Sequence, residues 1–159
     1  MSSLYDLLLV AHSALRWGVL GSCLCLLVHA SFRALSSHEG SPADTLLARI
    51  FVGFVDLQLT VGLALYFALS PLAALARSDL AIAWSHPTLR FFGFLHPFLA
   101  ITSFVVAHAM SVAARRAQKA SARHLRLAVG SGLCLFVYLL MIPWPFLDYG
   151  RPWLRGVSP

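Results

Sequence analysis

Two histidines, His12 and His96, are the residues whose type and placement point most directly to chemistry. Each lies inside an apolar run long enough to cross a bilayer, where an ionisable side chain is costly. Neutral imidazole is a usual axial ligand of haem iron. Two such rings on different helices at one depth predict a haem held between them, with His12 and His96 as its metal ligands. Arg16 stands one turn from His12 on the same helix face. A charge there needs a partner. Asp56 and Gln58 on the second helix are candidates, with an Arg16–Asp56 pair the plain structural reading. The other candidate is an anionic ligand group, such as a haem propionate or a polar quinone head. Asp56 is also a candidate proton relay.

The face of the third helix fits this reading. His96, Ala100, Ser103 and Ala107 share one stripe by three/four spacing. Small groups below the imidazole, Ser103 among them, leave room for a flat cofactor or for a close neighbouring helix. Ala14, Gly18, Gly21 and Cys25 form a comparable stripe on the first helix, for which tight packing is the plainer account. Trp17, deeper than an interfacial tryptophan, is expected to pack against whatever fills the site. Pro97 removes a backbone donor beside His96 and predicts a kink there.

The remaining histidines fit a second haem poorly. At 100° per residue, His96 and His108 lie ~120° apart around their helix, and His12 and His29 ~100° apart. One face cannot serve both layers. His29 and His108 are therefore expected to be interfacial or hydrogen-bonded between helices. His38, His86 and His124 are placed in solvated loops. Cys23, Cys25 and Cys134 fall in apolar runs and read as small packing residues. No nucleophile–base arrangement, phosphate loop or zinc spacing is visible, which argues against hydrolytic and phosphoryl-transfer chemistry.

The elements that must position these residues are membrane helices. Of 159 residues, 59% are hydrophobic and only 11% charged, and the mean hydropathy is +0.78. A soluble domain carries about 25% charged residues. The expected fold is all-α, a polytopic membrane four-helix bundle in one domain. Its spans run about 4–32, 47–69, 89–114 and 125–142. Ser41, Pro42 and Asp44 form a helix-start signature ahead of the second span. Between the second and third spans, 70–87 is too broken to cross. It reads as a short interfacial segment with Trp84 at headgroup depth and Ser70 and Ser78 as caps. Prolines at 143 and 145 stop the fourth span. Trp144, Tyr149 and Trp153 suit an outer aromatic belt.

The net charge of +6 is not a nucleic-acid signal here, because the cations flank membrane segments. Seven lie in the first and third loops: Arg33, Arg49, Arg115, Arg116, Lys119, Arg123 and Arg126. Four lie on the other side: Arg77, Arg90, Arg151 and Arg155. The richer side is expected to be cytoplasmic, which puts both termini outside. His12 and His96 then sit in the outer half, ~11 Å and ~9 Å from the midplane at 1.5 Å per residue.

Four stretches carry a family resemblance: HSALRW (His12 to Trp17), LQLTVGLALYF (Leu57 to Phe67), LRFFGFLHP (Leu89 to Pro97) and IPWPF (Ile142 to Phe146). Together they resemble small four-helix bacterial membrane proteins labelled cytochrome b or b561-like. The resemblance implies haem b ligated at His12 and His96 and electron transfer with a quinone or a periplasmic partner; in a bacterial inner membrane the loop charges then put both termini in the periplasm. It departs from that pattern at Asp56, where relatives often carry histidine, and at Leu95, where they carry an acid. The competing expectation is a non-catalytic small accessory subunit of a larger membrane complex, its histidines structural and its lipid-facing surface used for docking. A transporter or channel is a weaker fit, because four helices enclose a narrow pore at best.

Overall fold

A computed structural model describes residues 3–36 and 39–155. Helix α1 spans Leu4–Leu35 and α2 spans Pro42–Ala64, passing into a π-helical turn at Leu65–Leu69. Three short helices follow: α3 (Pro71–Ser78), α4 (Leu80–Ser85) and α5 (Pro87–Arg90). A second π-turn, Phe91–Leu95, leads into α6 (His96–Arg115), and α7 spans Ala120–Met141. Four helical stretches are long and apolar enough to cross a membrane: Leu4–Leu35, Pro42–Leu69, Pro87–Arg115 and Ala120–Met141. The fold is an all-α four-helix bundle.

The main contacts run α1–α2, α2–α6, α6–α7 and α7–α1. The helices therefore form a ring in which α1 faces α6 across the centre. The core follows helical spacing: Val19, Cys23, Leu26 and Ala30 from α1 meet Phe51, Val55, Ala107, Met110, Leu127, Cys134 and Tyr138. The outer face is equally apolar. Leu24, Val28, Phe98, Val105, Leu133 and Phe136 are each half exposed or more. Water would penalise such a surface, whereas lipid accommodates it.

The caps explain where the helices start. Helix α2 starts where Ser41, Pro42 and Asp44 place it, and Ser41 N–H donates to Asp44 Oδ2 at 2.8 Å. Ser70 caps α3 by accepting from Ala73 N–H. Asp79, not Ser78, caps α4, by accepting from Ile82 N–H at 3.0 Å. A carboxylate accepts more strongly than a hydroxyl, and Ser78 Oγ is turned back to the Leu75 carbonyl.

Pro97 has a definite structural consequence. With no N–H it cannot bond the Gly93 carbonyl one turn back. That carbonyl instead accepts from Tyr66 Oη at 2.9 Å, across from the second span. The break is a π-turn immediately ahead of His96 rather than a simple bend, and such turns are frequent at functional sites. A Cβ at Gly93 would lie 2.5 Å from Ala76 Cβ, so α3 is pressed against this turn.

The small-residue stripe of α1 is corrected. Ala14, Gly21 and Cys25 are exposed on the outer face. Only Gly18 packs closely, its missing Cβ replaced by the Phe54 ring. Cys23 and Cys134 are buried, as expected of packing residues, and Cys25 is not.

Candidate functional site

His12 and His96 meet across the bundle. Their ring centroids are 6.1 Å apart, with planes at 64°. Because α1 and α6 are diagonal neighbours, the rings occupy the space that direct helix contact would otherwise close. His96 Nδ1–H donates to the Met141 carbonyl at 3.1 Å, at the end of α7. A carbonyl only accepts, so this bond fixes the tautomer and leaves Nε2 with its lone pair. His12 Nε2 accepts from the Gln58 amide Nε2–H at 3.2 Å, so Nδ1 carries the ring proton, and it is buried with no hydrogen-bond partner. The carbon between those nitrogens sits above Gly62, where a Cβ would come within 3.0 Å. Glycine there is what admits the ring.

Both rings line a cavity of about 170 Å³. Ala100, Ser103 and Tyr138 also line it, so the His96 stripe faces the bundle interior as its spacing requires. Ser103 Oγ donates to the Ala100 carbonyl at 3.1 Å and is otherwise a small wall residue. Arg16, Arg151 and Arg155 line the same cavity.

Arg16 does not pair with Asp56 or Gln58. Its Nη2 donates to the Trp153 carbonyl at 2.6 Å and approaches Ser13 Oγ at 3.4 Å. Trp17 does not line the cavity. Its ring stacks on Trp153 at 6.0 Å, and its Nε1–H donates to the same carbonyl at 3.1 Å. The segment after α7 is the cause. It folds back over this end of the bundle, with Arg151 N–H bonded to the Pro143 carbonyl and Tyr149 stacked on Phe91 at 3.9 Å. The aromatic residues assigned to a belt thus form a cap, and the cap carries two arginines into the site. Partial burial and the nearby Arg155 push the Arg151 guanidinium below its ordinary pKa, with Tyr5 opposing. Among the described residues no carboxylate pairs with Arg16, Arg151 or Arg155. The cavity's charged end is cationic.

The other histidines form two separate centres. His108 Nε2 lies 2.7 Å from Asp56 Oδ1, joining α6 to α2. At the far end of the bundle the fully buried Asp44 carboxylate binds His29 Nε2 at 2.8 Å, Arg33 Nε at 3.2 Å and His124 Nε2 at 3.0 Å. His29 and His108 are hydrogen-bonded between helices as expected. His124 is corrected: it lies in the first turn of α7 and is fully buried, because Asp44 supplies the acceptor that a solvated loop would not. His86 is exposed, and His38 lies outside the described residues. The sequence clue to the Asp44 centre was a carboxylate at a helix start with basic residues near two other helix ends. Only the fold reveals that the three meet.

Among the described residues no group of three His, Cys, Asp or Glu side chains converges to hold a metal ion. Comparison of the chain with protein-family models, characterised proteins and solved structures finds no match.

Proposed function

We propose that this chain is a membrane-embedded b-type haem protein for electron transfer, with His12 and His96 as the imidazoles that would hold the iron. The observation that carries the reading is their placement on diagonal helices with centroids 6.1 Å apart. At the roughly 2 Å of a metal–imidazole bond, two rings sharing one ion stand about 6 Å apart, centroid to centroid. Two imidazoles are too few for a bare ion, whereas a porphyrin brings four nitrogens of its own. His96 Nε2 keeps its lone pair, and the His12 lone pair is on Nε2, held by the Gln58 amide, whose place an iron would take. The Met141 carbonyl behind His96 is the kind of outer partner that orients a ligating histidine. Arg16, Arg151 and Arg155 give propionates a cationic end to face. A bound haem would supply one-electron redox chemistry. The residues' own work is to hold it, neutralise its carboxylates and exclude water.

The electron partner in this reading is a quinone or a periplasmic protein. The chain lies in the bacterial cytoplasmic membrane with both ends periplasmic, a side chosen by the seven-to-four distribution of loop cations. A second reading, structural histidines in an accessory subunit of a larger complex, draws on the same bonds, since Gln58 and the Met141 carbonyl each satisfy one ring nitrogen. Absorption spectra of the purified protein, oxidised and reduced, separate the two. The haem reading expects a reducible Soret band that disappears in both His12→Ala and His96→Ala. A folded but colourless preparation supports the accessory reading.

A further inference from the structure

Asp56 and His108 are bonded to each other at 2.7 Å, yet their side chains are 47% and 41% exposed on the outer face of the α2–α6 seam. Asp56 is seven residues into the span from Arg49, and His108 seven residues back from Arg115. Each therefore lies about 10 Å inside its nearest flanking arginine. That depth is hydrocarbon, where an ionisable pair normally faces a bundle interior. Exposed large side chains on the same two helices are apolar: Leu57, Ile101, Val105 and Val112.

We infer that this face is buried against the same face of a second copy of the chain. The occupant follows from complementarity. After bonding each other, Asp56 keeps Oδ2 as an acceptor and His108 keeps Nδ1, and no hydrogen bond within the described residues uses either. Against a two-fold neighbour each Asp56 Oδ2 faces the other copy's His108 Nδ1, and one proton shared across each such contact satisfies both pairs with no third group. The shape agrees. Gly53 and Thr60 flank Asp56 on the exposed stripe of α2. A Cβ at Gly53 would meet nothing within 4 Å, so the backbone is open to a neighbouring helix. Small residues beside a polar group are what membrane helices use to approach closely. The face lies on the outside of the bundle, apart from the His12–His96 cavity, so the inference stands whether or not haem binds there.

Cysteine cross-linking in native membranes tests it. Gly53→Cys is introduced with Cys25→Ser, which removes the exposed native thiol. A bis-maleimide should then give a band at twice the monomer mass, and the parent, in which Cys25 is exposed and Cys23 and Cys134 are buried, should give none. Sedimentation in mild detergent should show a dimer for the parent. In Asp56→Leu/His108→Leu the monomer fraction should rise at least tenfold. The cross-link needs no disruptive substitution, so it remains decisive if the double variant misfolds. Cross-linking of the Gly53→Cys chain only to a different protein would overturn the inference. So would a monomeric parent with no cross-link, which would put lipid against the pair.

Discussion

At the scale of single residues, two positions decide how the polar groups are held. Asp44 is fully buried and answers three cationic or donor groups from two helices. Removing one partner of a buried ionic cluster leaves uncompensated charge and costs on the order of 3 kcal/mol or more. Asp44→Asn is therefore expected to lower the thermal midpoint in detergent markedly. His86→Ala, at an exposed position, should leave it unchanged. Equal midpoints for Asp44→Asn and the parent would show that the cluster contributes little. Gly62 acts on the site by its absence of a side chain. Gly62→Val pushes a branched side chain toward His12 and is expected to displace the ring, lowering haem retention while the fold survives. Retention equal to the parent's would show that His12 does not depend on this clearance. Such roles were only partly legible in the chain. Asp44 was readable as a helix-start residue from local spacing, but its partners come from positions 15 residues before it and 80 after. Local spacing cannot report so distant a meeting.

At the scale of elements, the π-turn before α6 explains how His96 is presented. Pro97 frees the Gly93 carbonyl, and Tyr66 takes it. Tyr66→Phe orphans a buried acceptor and should cost about 1–2 kcal/mol. Pro97→Ala in that background restores a backbone donor for the same carbonyl. The double variant should therefore lose less stability than Tyr66→Phe alone, as read from midpoints in a double-variant cycle. Strict additivity would separate the two groups. The proline-induced break beside His96 was legible in the sequence, but not the hydroxyl that answers it, because Tyr66 belongs to a different span. The spans themselves were legible, since 3.6-residue spacing and apolar length fix them locally. The segment after α7 was not. Trp144, Tyr149 and Trp153 read as an outer aromatic belt and Arg151 and Arg155 as loop cations, yet Trp153 stacks on Trp17 and its carbonyl binds Arg16. Arg151→Gln/Arg155→Gln should leave folding intact and weaken haem retention several-fold, measured by haem loss to an acceptor protein. Unchanged loss kinetics would place the propionates elsewhere.

At the scale of the whole molecule, the ring of four helices sets what the protein is able to do. Adjacent helices pack through Ala107, Met110 and Cys134 and close the core. The diagonal pair α1 and α6 meets at one end through imidazoles instead, with a cationic cap above. The apolar exterior predicts retention in the membrane pellet after an alkaline carbonate wash, with release only by detergent. Release by the wash would contradict a spanning bundle. The central claim is that two rings, one from each diagonal helix, share one haem. Titrating haem into the purified haem-free protein tests it most directly. Saturation is expected at one haem per chain, with the spectrum of two nitrogen axial ligands, and that spectrum should be lost in His12→Ala and in His96→Ala alike. Binding with the same stoichiometry and spectrum in either variant would contradict it.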